Sequence, residues 1–205
     1  MPLDVLQHPL GEHLVNHLRR RETPPQSFRR YCEQVTTLLA LEATRDIRTE
    51  GRLIETPLEA MEAAFVSEPV VVVAILRAGA GMVDSVVRLL PEVSVGYIGL
   101  ERDEETAKAR HYYRKFPPME GRRVMLVDPM LATGGSAEQA LETIYAAGAR
   151  AVDFLCIVAA PEGVQRLEAR FPMVRIFAAA LDRELDANKY IRPGLGDFGD
   201  RLYGT

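Results

Sequence analysis

With 205 residues, 47% hydrophobic and 26% charged, the chain has the makeup of a single globular domain that buries about 70% of the surface its unfolded form exposes. Its 25 Lys and Arg against 29 Asp and Glu leave a formal charge of −4, which argues against broad nucleic-acid binding, so an anionic ligand needs a local positive site. The longest apolar run, Pro69 to Leu76, falls far short of the roughly 20 residues of a membrane span, and Met1 to Leu18 lacks the pattern of a secretory signal; the expected setting is the cytoplasm, with no membrane partner.

Leu6, Leu10, Leu14 and Leu18 recur every fourth residue and predict a first helix, and Phe28, Cys32, Val35, Leu38 and Leu39 mark the stripe of a second. His13 and His17 share a face of the first helix at a spacing zinc ligands use. However, with His8 and Glu12 they match neither H-E-x-x-H nor H-x-x-E-H, and no third ligand follows, so no metal site is assigned. In "TPLE", Thr56 reads as an N-cap, Pro57 as a first helical residue and Glu59 as the capping-box partner, which predicts a third helix ending before Pro69.

From Pro69 the pattern becomes strand, loop, helix, repeated. "VVVVAIL", "VSVGYIGL", "RRVMLVD", "AVDFLCIVAA" and "VRIFAAAL" are continuous apolar runs, expected of strands covered on both faces in a mostly parallel sheet. Helices are predicted over Met82–Leu90, Ala137–Ala147 and Gly163–Arg170. Cys32 and Cys156 are far apart and Cys156 is embedded in an apolar run, so no disulfide is expected. Ligands of such sheets sit beyond the carboxyl ends of the strands, which directs attention to the loops after Leu76, Leu100, Val127 and Leu181.

The loop after Val127 reads "DPMLATGGS". Asp128 closes the strand, Gly134 and Gly135 let a ligand approach the backbone, and Ser136 stands where the unpaired N–H groups of the next helix begin, which together make an anion cradle beside an acid suited to sugar hydroxyls. A ribose phosphate fits that pairing. A capping box from Ser136 to Gln139 accounts for the serine alone, and neither a Walker lysine nor a G-x-G-x-x-G spacing is present. The loop "ILRAGAGM" sets Arg77 beside Gly79, Ala80 and Gly81, either a pyrophosphate grip or a tight turn with an incidental arginine. "ERDEETAKARHYYRKFP", residues 101–117, is polar and divided into acidic and basic halves, as befits an exposed arm or a lid that closes over a ligand. The tail "NKYIRPGLGDFGDRLYGT" has no regular periodicity and reads as an ordered glycine-rich loop.

"DPMLATGGS" resembles the phosphoribosyl-pyrophosphate loop of type I phosphoribosyltransferases, and most closely the form of the uracil phosphoribosyltransferase family, in which a proline such as Pro129 follows the single acid. "ILRAGAGM", "LEATRD" and "GDRLYGT" are similar to that family's segments in the same order, so the resemblance covers essentially the whole chain. It implies one α/β domain over residues 1–205 with a type I phosphoribosyltransferase fold: a twisted, mostly parallel sheet with helices on both faces and a core at about 66–182. The flexible arm falls at about 101–117, and a hood at 183–205 joins the N-terminal helices. The implied reaction moves the phosphoribosyl group of 5-phospho-α-D-ribose 1-diphosphate (PRPP) to uracil, giving UMP and diphosphate in pyrimidine salvage.

By the same resemblance the donor would touch Arg77, Arg102, Asp128, Pro129, Met130, Leu131, Ala132, Thr133, Gly134, Gly135, Ser136 and Asp197. In that scheme Arg77, Arg102 and the Gly79–Gly81 backbone meet pyrophosphate, the 132–136 turn meets the 5-phosphate, and Asp128 orders the ribose. Uracil would be read by the main chain of Ile191, Gly196 and Phe198 with Asp197. Mg²⁺ is expected on PRPP and not on protein ligands. No general base is assigned. The implied assembly is a homodimer or larger, and whether GTP acts as an effector stays open. Other readings are transfer to another nucleobase, a nucleotide-sensing RNA-binding regulator on the same fold, and a catalytically silent binding module.

Overall fold

The computed structural model describes residues 3–102 and 109–205. Its elements in chain order are β1 (Leu3–Val5), α1 (Pro9–Arg19), α2 (Pro25–Ala43), β2 (Thr49–Glu55), β3 (Ala60–Val66), β4 (Val70–Leu76), α3 (Ala80–Leu89), β5 (Ser94–Arg102), β6 (Ala109–Lys115), β7 (Arg123–Val127), β8 (Met130–Leu131), α4 (Gly135–Ala146), β9 (Ala151–Ala159), α5 (Pro161–Arg170), β10 (Arg175–Leu181), β11 (Glu184–Leu185), β12 (Ile191–Arg192) and α6 (Phe198–Tyr203). The main sheet runs β1-β10-β9-β7-β4-β5-β6, with β8 added to β9. Every pair is parallel except β5 with β6.

The unbroken apolar runs take the centre of this sheet because a strand covered on both faces has no solvent side to make polar. Alternate residues of β4 feed two cores. Val70, Val72 and Ala74 pack with α1, α2, α3 and the hood, whereas Val71, Val73 and Ile75 pack with α4 and α5. Phe28, Leu18 and Leu39 on one side and Phe154, Leu141 and Ile144 on the other are fully buried. Cys32 and Cys156 are free, buried thiols that desolvation pushes far from ionisation, Cys32 up to about 12.

The predicted third helix is not formed. Thr56 Oγ1 accepts from the N–H groups of Leu58 and Glu59 at 3.2 and 3.1 Å, as a capping threonine does, but the Thr56 N–H donates to the Glu59 carbonyl at 3.0 Å and the chain reverses. Residues 60–66 then pair antiparallel with β2, from Glu55 opposite Ala60 to Thr49 opposite Val66. Leu6 also falls outside α1, because Leu3–Val5 instead adds an edge strand to β10. Part of the 101–117 arm is regular as well, since β6 folds back on β5.

Candidate active site

Parallel strands place the loops after β4, β5 and β7 side by side at one end of the sheet, since β4 lies between β5 and β7. After β7, the Asp128 N–H donates to the Leu155 carbonyl at 3.2 Å, and the Pro129 carbonyl accepts from Ile157 and Val158 at 3.0 Å. Met130 and Leu131 continue alongside β9 as β8. Pro129 and Leu131 are buried, so this part of the segment is scaffold that fixes where the following turn projects.

That turn runs from Ala132 to Ser136. Gly134 caps α4 with φ 77°, a left-handed conformation that costs a side-chain-bearing residue strain, and a Cβ there would lie 3.1 Å from the Gly163 carbonyl. Gly134 and not Ser136 is therefore the N-cap, and Ser136, the capping residue of the alternative reading, stands exposed in the first turn. Thr133 Oγ1 accepts from the Gly135 N–H at 3.4 Å. The first N–H groups of α4 have no acceptor one turn back, which leaves a positive mouth suited to an anion. Behind it, Asp128 is half-buried. Desolvation raises its carboxyl to about 7, partly offset by the hydrogen bond it accepts from the Met130 N–H.

After β4 the chain turns tightly. Gly79 donates to the Ile75 carbonyl at 2.9 Å, Ala80 to Arg77 at 3.1 Å and Gly81 to Ala78 at 3.1 Å. These N–H groups point into the turn, so the outward-facing feature is the exposed Arg77 side chain and not the Gly79–Gly81 backbone expected from sequence. Gly79 is required by proximity, since a Cβ would sit 2.5 Å from the Val127 carbonyl. The Leu76–Arg77 peptide is cis.

Arg102 ends β5 opposite Ala109; its side chain, with residues 103–108 of the arm, lies outside the described residues.

The tail is more regular than expected. Asp197 caps α6 by accepting from the Asp200 N–H at 2.9 Å, and Gly204 ends the helix with φ 75°. The α6 helix packs Leu202 onto Gly81, and the Tyr203 hydroxyl donates to the Arg77 carbonyl at 2.9 Å, while the Arg77 guanidinium lies 5.9 Å from the Tyr203 ring centroid and 4.0 Å from Asp200. The hood thus abuts the Arg77 turn. Asp182, buried at the end of β10, holds it from below by pairing with Arg19 and accepting from the Gly194 N–H at 2.8 Å. Ile191 is buried and Gly196 and Asp197 are exposed. The Phe198 ring is directed inward against Phe28 at 4.9 Å, so only its main chain is offered to a ligand, and Arg192 is paired outside with Asp186.

Tyr203, Asp182 and Arg19 were not visible in the sequence as site-forming residues. Each has a partner 126 to 175 positions away, and no local pattern marks them. His13 and His17 stack edge-on at 4.6 Å, with His17 against Tyr31, and no group of three or more His, Cys, Asp or Glu suited to a metal occurs among the described residues. No described helix is long and apolar enough to cross a membrane.

The fold recurs in a solved hypoxanthine-guanine phosphoribosyltransferase from Bacillus anthracis, which is 13% identical with a TM-score of 0.52 over 77% of this chain and 80% of its own; that likeness is one of fold, the type I phosphoribosyltransferase fold. The solved AQ2163 protein of Aquifex aeolicus superposes with a TM-score of 0.94 at 37% identity, covering 99% of this chain and 98% of that one. A protein from Salinibacter ruber named uracil phosphoribosyltransferase is 50% identical over 202 residues, 98% of this chain and 96% of its own. The sequence model of uracil phosphoribosyltransferase matches residues 5–205. The chain belongs to the uracil phosphoribosyltransferase family.

Proposed function

We propose that the chain transfers the phosphoribosyl group of PRPP to uracil. The bond from ribose C1 to diphosphate breaks with its electron pair leaving on diphosphate, uracil N1 bonds to C1, and the N1 proton passes to solvent, giving UMP. Family membership over residues 5–205 carries this reading, and the arrangement of the strand-end loops supports it. The Ala132–Ser136 turn would hold the 5-phosphate at the mouth of α4, Asp128 would accept from the ribose hydroxyls, and Arg77, with Arg102, would meet the charge that gathers on the departing diphosphate. The main chain around Ile191, Gly196, Asp197 and Phe198 would read the flat base. With both substrates held, position is the main contribution to rate.

A divalent cation fits this site as a passenger. Asp128 is one half-buried carboxylate without a second acid beside it in the turn, which suits Mg²⁺ that keeps waters and binds phosphate oxygens. When bound, the ion would supply charge neutralisation on the diphosphate, and Asp128 would orient the sugar next to it. The reading also places the protein in the cytoplasm as a homo-oligomer.

The test is a panel of uracil, cytosine, hypoxanthine and adenine with PRPP and Mg²⁺, with and without GTP, scored by diphosphate release. Uracil should be consumed in strong preference to the others. Preference for a purine overturns the base assignment, and absence of turnover with all four overturns the enzymatic reading. A change in rate with GTP decides whether it is an effector.

A further inference from the structure

The turn assigned to the 5-phosphate carries no cationic side chain of its own, and the first turn of α4 carries an acid, Glu138. A carboxylate there satisfies the positive end of the helix itself and repels an arriving phosphate dianion, so the mouth of α4 is a weak anion site unless that charge is answered. The answer comes from α5. Arg166 Nε pairs with one oxygen of Glu138, and Arg170 Nε lies 3.1 Å from the other. Arg166 Nη1 lies 3.5 Å from the Thr133 carbonyl, and Arg166 Cδ would be 3.3 Å from a Cβ on Gly134, so the Arg166 side chain sits against the turn. Glu138 is only 14% exposed in its side chain, which limits how far water screens its charge.

We infer that Arg166 is a positioning residue for the donor's 5-phosphate. By holding the charge of Glu138, it leaves the positive mouth of α4 to the phosphate of a sugar phosphate. The inference rests on the reading of Ala132–Ser136 as the 5-phosphate turn. Arg166 acts through Glu138 and the backbone of the turn: its guanidinium is taken up by the Glu138 carboxylate and lies 3.5 Å from the Thr133 carbonyl. This role predicts dependence on charge and not on shape.

Arg166→Gln, Glu138→Gln, the double variant and Arg166→Lys, each on the full chain, separate the possibilities, with PRPP binding followed by calorimetry and turnover by steady-state kinetics. Arg166→Gln should raise the KM for PRPP about fivefold to tenfold, with kcat within about twofold of the parent, and high salt should shrink the difference. Arg166→Lys, which keeps the charge, should stay near the parent. Adding Glu138→Gln to Arg166→Gln should bring the KM back to within about twofold of the parent, because the carboxylate that Arg170 alone would then answer is gone. A merely structural brace gives no such rescue. An unchanged KM in Arg166→Gln, or a double variant as impaired as the single, overturns the inference while leaving the proposed reaction standing. Failure of the parent itself to bind PRPP overturns both.

Discussion

Asp128 carries a cost in its charged form. In the unfolded chain it titrates at the ordinary 3.8, whereas in the fold burial raises it to about 7. The native state therefore favours the neutral acid, and stability present below about pH 4 is lost as the pH rises toward 7 and the carboxylate ionises in place. The ionised form is nevertheless the one that would accept from ribose hydroxyls in the proposed reaction. Asp128→Asn removes this conflict: urea melts should show the variant more stable than the parent by about 1–3 kcal/mol at pH 8, with the gap closing by pH 4, while its PRPP affinity falls more than about tenfold. A parent more stable than Asp128→Asn at pH 8 would mean that the carboxylate is already satisfied and is part of the scaffold. Asp128 and Arg77 were legible because each stands inside a short motif at a strand end. Arg166 was not, since its meaning depends on Glu138, 28 positions earlier, and on α5 lying against the turn.

The elements show why some local signals mislead. Pro57 suits the first position of a helix and equally the second position of a tight turn, and Thr56 offers its hydroxyl to the same N–H groups in both. The choice is made by the partner strand Thr49–Glu55, which takes up residues 60–66 although "AMEAA" is rich in helix formers. The central strands were readable because burial on both faces leaves an apolar run that nothing else in a small domain explains. The short edge strand β1 and the two-turn α6 leave no such trace; only Asp197 and Gly204 bracket α6 as cap and terminator.

At the opposite end of the sheet from the site, elements are tied by charge. Arg123, at the start of β7, reaches Asp153 on β9 at 2.7 Å, Asp46 at 2.8 Å, Glu68 at 3.3 Å and the Ala43 carbonyl that ends α2 at 2.7 Å, and Arg175 shares Asp153 and Asp46. Burial pushes Asp153 up to about 6, with Arg123 pulling it back. Arg123→Leu should cost about 3 kcal/mol, Arg175 keeping Asp153 from standing alone. The loss should deepen from pH 5 to pH 8, as ionisation of Asp153 becomes harder to sustain. Thermal melts across that range check it; a pH-independent loss would mean that packing and not charge holds the junction.

For the molecule as a whole, that junction fixes the direction of the β2–β3 hairpin. Asp46 precedes β2 and Glu68 follows β3, and Arg123 holds both, so the hairpin leaves the body near the end of the sheet remote from the site. Its apolar side chains face water: Leu58 is 95% exposed, Leu53 79%, and Met61, Phe65 and Val66 are also exposed. A cleft of about 590 Å³ opens between its root and the chain from Leu89 to Val93. A two-stranded hairpin is marginal alone in water, and a concentration of exposed apolar residues on a projecting element is the mark of an interface. A second copy of the chain, offering the same hairpin about a twofold axis, meets that need and accords with the proposed homo-oligomer. Leu53→Glu combined with Leu58→Glu should therefore lower the sedimenting mass to that of one chain and lower the melting temperature, the latter in a manner that depends on protein concentration in the parent but not in the variant. The site lies at the other end of the strands, so PRPP affinity measured on the separated chains should stay within about threefold of the parent. A parent that already sediments as one chain, or a variant that keeps the parent's mass, would show that the hairpin does not join copies.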